Sequence, residues 1–373
     1  MQNKNRMVFV GTFSETLTLG TGEIVKGRGE GIYVLRMNPD TGELTLLKKT
    51  LGEPNPSYVA LDKSRKFLYS TNELKQYKGL ASGAVSSFSV DSENGQLTVL
   101  NRRATGGTDT THLVLDDNDT HVFIANFMSG SVCVVPIAED GSLDMPTCFL
   151  QHKGTGPDPI RQAGPHAHGF ELDKGNKRAF VPDLGNDRLY IYNIDFEHGH
   201  LYASDPPYVQ LEAGDGPRHC VLHQNGKFLY VINEMGSTIC AYEYTQETGG
   251  IKFLQKISTL PDGYKEHSTC SAIKILPGGD YLYGSNRGHD SLATYRINHD
   301  TGILTLVSIQ PTGGSNPRDF DFDPEGNFLI AGNQASNNLV VFRVTRETGG
   351  ITEVSRVENI YSSTCVKIYD MNV

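Results

Sequence analysis

Short apolar runs alternate with polar turns along the whole chain, and residues 216–234, GPRHCVLHQNGKFLYVINE, show one unit of this pattern. HCVLH has the alternation of a half-buried strand, Asn-Gly favours the positive φ of a tight turn, and KFLYVIN is rich in aromatic and β-branched residues. Arg218 and His219 precede the first strand, and Asn233 and Glu234 follow the second. Because the two strands are antiparallel, these polar residues are expected at the same edge of the hairpin.

The hairpin occurs six times in the sequence. Its second strand appears as FLYSTNE, HVFIANF, RAFVPDL, FLYVINE, YLYGSNR and FLIAGNQ, which start at residues 67, 121, 178, 228, 281 and 328. A third strand follows each copy, and then a turn and a short fourth strand, as in ENGQLTVL, EDGSLDM and ETGGIKFL. Four antiparallel strands in each repeat of about 40–50 residues are typical of a β-propeller blade.

The two ends of the chain supply a seventh blade. MVFVGTF, GIYVLRMN and DTGELTLL near the N-terminus are the second, third and fourth strands of a blade that lacks its first, and STCVKIY near the C-terminus is a first strand without a blade. Joining them closes the ring and removes an unpaired edge. The sequence therefore predicts an all-β, seven-bladed β-propeller that forms a single domain over residues 1–373. The glycine-rich insert at 13–30 is expected to be a flexible hairpin tip.

Composition restricts the classes of function. The net charge of −10 argues against nucleic-acid binding and against an acidic membrane surface. No apolar run approaches the roughly 18 residues that span a membrane, and the N-terminus lacks the apolar core of a signal peptide. The six cysteines show no C-x-x-C spacing and several lie in apolar strands, so they are expected to be buried free thiols. We therefore expect a cytoplasmic protein, a monomer because a closed propeller has no need to oligomerise, without a cofactor.

Comparison of the blades at equivalent positions isolates the candidate chemistry. At the register of Arg218 the blades carry Ser57, Thr111, His168, Arg218, Ser271, Arg318 and Thr364. At the register of Glu234 they carry Phe13, Glu73, Phe127, Leu184, Glu234, Arg287 and Gln334. The fold alone does not require a histidine and several charged residues at one channel mouth. A solvent-filled channel mouth would, however, tolerate any residue. We interpret these departures as a functional site on blades four to seven.

The chemistry of this set is limited to acid–base catalysis and anion binding. His168 and Glu234 form a candidate acid–base pair, and Arg218, Arg287 and Arg318 suit a carboxylate, a phosphate or a developing oxyanion. Further candidates for substrate contacts are His112, His166, His219, Asn233 and Asn286. The asparagines also fit a structural role, because such side chains bond to nearby backbone at strand ends. The absence of G-x-S-x-G and H-E-x-x-H motifs gives no support to a serine nucleophile or to zinc, and no metal is predicted.

The chain resembles the seven-bladed lactonase family, which includes propeller-type bacterial 6-phosphogluconolactonases and fungal 3-carboxy-cis,cis-muconate lactonising enzymes. The motifs GPRHCVLHQNGKFLYVINE, SNRGHDSLATYRI, NPRDFDFDPEGNFLIAGNQASNNLVVF and HAHGFELD carry this resemblance over nearly the whole chain, and they lie closer to the phosphogluconolactonase branch. The resemblance implies a catalytic set of His168, Arg218, Glu234 and Arg287. It also implies hydrolysis of 6-phospho-D-glucono-1,5-lactone in the oxidative pentose phosphate route. His168 or Glu234 would then activate water, the two arginines would hold the carbonyl oxygen, and Arg318 would hold the phosphate.

Three alternatives stay open at the level of sequence. A cycloisomerase that closes a carboxymuconate would use the same residues, because its substrate and transition state are also anionic. A non-enzymatic propeller would bind a ligand or protein, since the fold alone does not define function. A metal-dependent lactonase would hold a divalent cation, with calcium favoured by an all-oxygen ligand set of Asn126, Asn233, Asn286 and Glu234.

Overall fold

Strands make up all the regular secondary structure in the computed structural model, which describes residues 5–18 and 22–372. They form seven four-stranded antiparallel sheets and one two-stranded ribbon. The predicted seven-bladed propeller is confirmed, and we number the blades 1 to 7 from the N-terminus. Within these described ranges, no helix is long and apolar enough to cross a membrane.

Each blade contributes its first strand to the central channel and its fourth to the outside. Blade 1 consists of Ser363–Asp370, Arg6–Thr12, Ile32–Met37 and Leu44–Thr50. Blade 2 consists of Val59–Leu61, Phe67–Asn72, Ala84–Val90 and Leu97–Ala104. Blade 3 consists of Thr110–Leu115, His121–Asn126, Ser131–Pro136 and Cys148–Gln151. Blades 4 and 5 consist of Glu171–Leu172, Arg178–Asp183, Arg188–Asp195 and His200–Gln210; and Pro217–Leu222, Phe228–Asn233, Thr238–Thr245 and Gly250–Ser258. Blades 6 and 7 consist of Thr269–Ile275, Tyr281–Arg287, Ser291–Ile297 and Leu304–Pro311; and Pro317–Phe322, Phe328–Asn333, Asn338–Thr345 and Gly350–Glu358.

The ring closes in blade 1, as the sequence predicts. The C-terminal strand Ser363–Asp370 pairs antiparallel with Arg6–Thr12, from Arg6 opposite Asp370 to Thr12 opposite Ser363. Arg6 is only 1% exposed, and its guanidinium forms ion pairs with Asp370 at 2.8 Å and with Asp323 of blade 7 at 2.6 Å. A buried cation shared between two blades therefore reinforces the seam where the chain ends meet.

The hydrophobic core is divided into seven clusters, one between each pair of neighbouring blades. In the second strand of blade 5, Tyr230 and Ile232 pack towards blade 6, whereas Leu229 and Val231 pack towards blade 4. Successive side chains of a strand point to opposite faces, and here both faces are covered. This explains why the second strands are continuously apolar instead of alternating with polar residues.

Two prolines shorten strands that the sequence predicts to be longer. The expected fourth strand of blade 3 at EDGSLDM forms only an isolated bridge at Leu143, and the strand begins at Cys148, after Pro146. The expected first strand of blade 4 at HGFELD is reduced to Glu171–Leu172, opposite a second strand that contains Pro182. Proline has no N–H to donate, so each ladder is interrupted beside it.

The insert at 13–30 contains a short two-stranded ribbon. Thr16–Thr18 pairs with Ile24–Lys26, which lies within the stretch predicted as a flexible tip, while residues 19–21 lie outside the described residues. The side-chain oxygen of Asn55 accepts hydrogen bonds from the backbone N–H groups of Ser14 and Glu15 at 2.9 and 2.8 Å. These bonds fix the start of the insert to the approach to blade 2.

The six cysteines are free and buried, which confirms the prediction. Burial raises the pKa of Cys270 to about 12, so its thiol is protonated at neutral pH. Because the thiolate is the reactive form, this cysteine has the character of an inert core residue.

Candidate active site

A backbone hydrogen bond repeated around the ring brings the two predicted registers to one channel mouth. In blade 5 the N–H of Glu234 donates to the carbonyl oxygen of Gly216, two residues before Arg218, at 2.7 Å. The equivalent bonds run from Phe13 to Ser362, Glu73 to Asn55, Phe127 to Asp109, Leu184 to His166, and Gln334 to Asn316. Gly216 has a φ of +59°, which glycine adopts without steric cost. The start of the first strand and the end of the second are thereby joined at the same level along the channel axis.

A pocket of about 450 Å³ opens at this mouth. Four of its lining residues belong to the predicted set, namely His168, Glu234, Arg287 and Arg318. Arg218 lies directly beneath, in the narrow throat that continues into the channel. The structure therefore brings together all five residues of the predicted acid–base and arginine set, with four at the pocket surface and one supporting them.

Glu234 is the centre of an arginine cluster. Its Oε2 lies 3.0 Å from Nε of Arg218 and 2.8 Å from Nη2 of Arg287, and its Oε1 accepts from Nη2 of Arg161. The residue is 5% exposed, and burial by itself would raise the pKa of its carboxyl. The charges of Arg287, Arg161 and Arg218 together hold this pKa well below its usual range. Glu234 is therefore ionised at any physiological pH and serves to hold three cations in place.

Arg161 is a site residue that the repeat comparison missed. It lies in the long insert between blades 3 and 4, so it has no equivalent in the other blades. It lines the pocket and forms an ion pair with Glu234. The available sequence signal was its position as the single arginine of residues 146–167, which contain the short outer strand of blade 3 and the insert that follows it, directly before the histidines of blade 4.

Arg318 differs from the other arginines because its guanidinium contacts a ring and the charge of Glu73 acts on it, without an ion pair at short distance to any described residue. No described residue accepts a hydrogen bond from its side chain, which lies 5.0 Å from the ring centroid of Phe13. Arg218, in contrast, is bound to Glu234 and donates to the carbonyl oxygen of Ser271 at 2.9 Å. Burial and the charges of Arg287 and Arg318 lower the pKa of Arg218 to about 9, which leaves it cationic at neutral pH. Arg318 is thus the arginine with donors available for an anion.

Below the pocket, a stack of rings closes the channel. His168 lies 5.3 Å from His219, which lies 4.9 Å from His112, which lies 4.1 Å from Tyr58, measured between ring centroids. Burial, followed by the charge of Arg218, lowers the pKa of His168 well below its ordinary value. The pKa values of His112 and His219 are lowered in the same direction, again mainly by burial. The throat is therefore lined by neutral imidazoles at physiological pH.

The structure does not bring His112 and His219 to the pocket. Both line a second cavity of about 530 Å³ at the opposite end of the channel. Each follows directly after a residue of the predicted register, Thr111 or Arg218, at which the pairing with the second strand is irregular. Their predicted substrate contacts are not supported by these positions.

Three other predicted substrate contacts also lie outside the pocket lining. Asn233 donates to the hydroxyl of Thr238 at 2.9 Å and Asn286 to the carbonyl oxygen of Thr259 at 2.8 Å, so each amide fastens a blade edge. His166 is buried behind Phe127, with its ring stacked at 4.7 Å. The asparagines thus have the structural role that their turn chemistry allows.

Two of the three amide oxygens proposed as cation ligands have other partners. The Oδ1 of Asn126 accepts from Thr110 at 2.8 Å and the Oδ1 of Asn286 accepts from the thiol of Cys270 at 3.4 Å, whereas the Oδ1 of Asn233 has no partner among the described residues. Glu234 is surrounded by guanidinium groups. Among the described residues, no group of three or more His, Cys, Asp and Glu side chains is arranged to hold a metal ion. These residues do not fit the metal-dependent alternative.

Four buried polar atoms at the pocket have no hydrogen-bond partner among the described residues. They are Nδ1 of His168, Nε of Arg161, Nε of Arg287 and Oδ2 of Asp109. Buried polar groups are normally paired, so an unpaired group requires an explanation. Their concentration in one pocket indicates a site that a polar, anionic ligand completes.

Fold and site together define a propeller with an arginine-rich channel mouth. Residues 7–368 match the family described as "Lactonase, 7-bladed beta-propeller", and the chain belongs to this family. It is 36% identical over 320 residues to 6-phosphogluconolactonase of Bacillus subtilis (strain 168), covering 81% of this chain and 84% of that protein. It is 31% identical over 321 residues to 6-phosphogluconolactonase of Formosa agariphila, covering 85% and 86%. The structure of the periplasmic gluconolactonase PpgL of Pseudomonas aeruginosa superposes with a TM-score of 0.89 at 28% identity, covering 97% of this chain and 98% of that one.

Proposed function

We propose that the protein hydrolyses 6-phospho-D-glucono-1,5-lactone to 6-phosphogluconate, a step of the pentose phosphate pathway. The observation that carries this proposal is the cluster of three arginines around Glu234 at one channel mouth, next to Arg318, from whose side chain no described residue accepts a hydrogen bond. A phosphorylated lactone needs cationic groups for two oxygens at once, the carbonyl oxygen that becomes an oxyanion and the phosphate. The names of the relatives from B. subtilis and F. agariphila support the same substrate.

In this proposal the arginines have distinct roles. Arg287 and Arg161 line the pocket, and their guanidinium groups would donate to the carbonyl oxygen as negative charge develops on it. Glu234 and Arg218 would keep these two guanidinium groups in position. His168 would contact the substrate as a neutral imidazole. Its protonated form is disfavoured next to Arg218, and Glu234 is a weak base, so neither is well suited to remove a proton from water.

The direct test is hydrolysis of freshly generated 6-phosphogluconolactone, coupled to 6-phosphogluconate dehydrogenase, with the spontaneous opening of the lactone subtracted. We expect excess hydrolysis by the wild-type protein, unchanged by EDTA because the polar groups of the site are engaged with arginines and not arranged around a cation. Turnover of a carboxymuconate without lactone hydrolysis would show that the protein is a cycloisomerase and not a lactonase. Activity on neither substrate would favour a binding propeller, and loss of activity with EDTA would restore a metal-dependent mechanism.

The phosphate is proposed to bind Arg318, with Lys26 and Arg28 of the insert ribbon at the rim of the same pocket. Replacing both ribbon residues by alanine is expected to lower kcat/KM for the phosphorylated lactone about threefold to tenfold, because each exposed charge pair contributes roughly 0.2–1 kcal/mol. Hydrolysis of unphosphorylated glucono-1,5-lactone should change less than twofold. The measurement compares both lactones for the double variant and for Lys48→Ala, an exposed lysine of the outer strand of blade 1. An equal loss for the two lactones would contradict a phosphate contact.

Cytoplasmic location, a monomeric state and a single domain over residues 1–373 stay predictions within this proposal. The P. aeruginosa neighbour is named as periplasmic, so the fold by itself does not determine the compartment. The substrate class is a small anionic sugar lactone, in keeping with the names of the relatives.

A further inference from the structure

The pocket also contains two carboxylates that the roles proposed above leave unused. Glu73 and Asp109 line it on blades 2 and 3, where Glu73 accepts a hydrogen bond from the hydroxyl of Thr111 at 3.4 Å and lies within reach of the charges of Arg318 and Arg218. Both side chains are buried, Glu73 at 5% and Asp109 at 3% exposure. Burying acidic groups costs free energy, so two of them at the same pocket invite a functional explanation.

Asp109 breaks the pattern of its own register. The seven residues two positions before the Arg218 register are Asn55, Asp109, His166, Gly216, Thr269, Asn316 and Ser362. Five of them, at positions 55, 109, 216, 316 and 362, have φ between +40° and +59°. A left-handed backbone explains Asn, Asp or Gly at such a position, but it does not explain a negative charge. Asp109 is the one carboxylate in this register.

The matching asparagine shows what a structural residue does there. The amide of Asn55 accepts from the backbone of Ser14 and Glu15, and it donates to the carbonyl oxygen of Glu73 at 3.1 Å. The Oδ2 of Asp109 has no hydrogen-bond partner among the described residues, although it is buried. The Asp109 backbone is nonetheless fixed on both sides, to Leu74 and Phe127 at 2.8 Å each. A rigid backbone thus holds at the pocket wall a carboxyl group that hydrogen-bonds with Thr108 and has one oxygen without a partner among the described residues.

The electrostatic surroundings suit proton transfer. Burial, and then the negative charge of Glu73, raise the pKa of Asp109 to about 7, while Lys75 acts in the opposite direction. The other charged or titratable groups around the pocket include His168, Arg161 and Arg318. A general base works best when its pKa lies near the working pH, because it is then both deprotonated and basic enough to accept a proton. Asp109 meets this condition, whereas Glu234 and His168 do not.

We infer that Asp109 is the catalytic residue that accepts the proton of the attacking water, and that Glu73 is a positioning residue that acts on it through its charge. This inference rests on the proposed lactonase function. Water oxygen bonds to the lactone carbonyl carbon as one water O–H bond breaks and its proton moves to the Asp109 carboxylate. The carbonyl π electrons move to the oxygen held by the arginines. Collapse re-forms the C=O bond and breaks the bond to the ring oxygen, which takes the proton back from Asp109.

The test is the pH dependence of kcat and KM for 6-phosphogluconolactone between about pH 5 and 9, with the spontaneous hydrolysis subtracted. For the wild type we expect kcat to fall on the acid side with a midpoint near 7, as the base becomes protonated. Asp109→Asn should lower kcat about 10²-fold or more, with KM changed less than threefold, and should abolish that midpoint. Glu73→Gln should move the midpoint to lower pH, because removing a neighbouring negative charge makes a carboxyl group easier to ionise.

A matched control is available in the same hairpin. Asp119 has the same φ of +56° as Asp109 but lies at the other end of blade 3. Asp119→Asn should retain the wild-type rate and pH profile, and circular dichroism should show that both variants are folded. An active wild type whose Asp109→Asn variant keeps its rate and acid midpoint would overturn the assignment of Asp109 alone. An unmoved midpoint in Glu73→Gln would overturn the role of Glu73, and an inactive wild type would overturn both this inference and the proposed function.

Discussion

Replacing Arg287 by alanine is expected to lower kcat/KM for 6-phosphogluconolactone about 10²–10³-fold, the usual cost of losing one oxyanion donor. Arg287 lines the pocket, its Nε has no partner among the described residues, and its Nη2 is held by Glu234 and by the carbonyl oxygen of Cys270. Its guanidinium is therefore oriented before substrate arrives, and no reorganisation is needed when charge develops. The measurement is the coupled assay, together with a circular dichroism melting curve.

Two further variants serve as comparisons for Arg287→Ala. Arg287→Lys keeps the charge but loses the planar donor pair, so we expect a loss smaller than that of alanine but still measurable. Arg296→Ala removes an exposed arginine from the neighbouring strand of blade 6, where it bonds to the hydroxyl of Tyr281, and should leave kcat/KM within twofold. A folded Arg287→Ala protein with wild-type activity would remove Arg287 from the reaction and with it the proposed oxyanion site.

Replacing Glu234 by alanine is expected to lower the free energy of unfolding by about 3–5 kcal/mol and to abolish lactonase activity. Its carboxylate is the shared ion-pair partner of Arg161, Arg218 and Arg287, and removing one partner of a buried ion pair leaves uncompensated charge. Because Arg161 is fixed in the pocket through this carboxylate, its insert should also loosen. Urea unfolding followed by circular dichroism measures the first effect, and limited proteolysis of the 146–167 insert measures the second.

Glu243 provides the matched comparison for Glu234. It lies on the next strand of blade 5, is exposed, and pairs with Lys252 at 3.4 Å on the surface. Glu243→Ala should change the free energy of unfolding by less than about 1 kcal/mol, as exposed pairs usually do. If Glu234→Ala lowers the free energy of unfolding no more than Glu243→Ala does, the stability of the arginine cluster does not depend on its central carboxylate.

Much of the site follows from the repeat because the repeat is built on hydrogen bonds. Once the second strand of each blade is recognised, its ladder fixes which residues share a height in the ring, and this aligned Arg218 with His168 and Arg318, and Glu234 with Arg287. The direction in which a side chain points is harder to predict from the sequence at the ends of a strand. His112 and His219 follow register residues at which the ladder is irregular, and they line the cavity at the opposite end of the channel.

The sequence by itself determined the seven blades, the closure in blade 1 and the registers that meet at the channel mouth, because strand period, turn chemistry and repeat spacing are local properties of the chain. The tertiary structure alone decided the contribution of Arg161, the placement of the ribbon over the pocket and the state of each acidic group. Inserts have no equivalent in other blades, so no repeat predicts where they fold back. A pKa depends on burial and on charges that arrive from distant parts of the chain, which is why Glu234 and Asp109, both acidic in the sequence, differ so strongly in the folded protein.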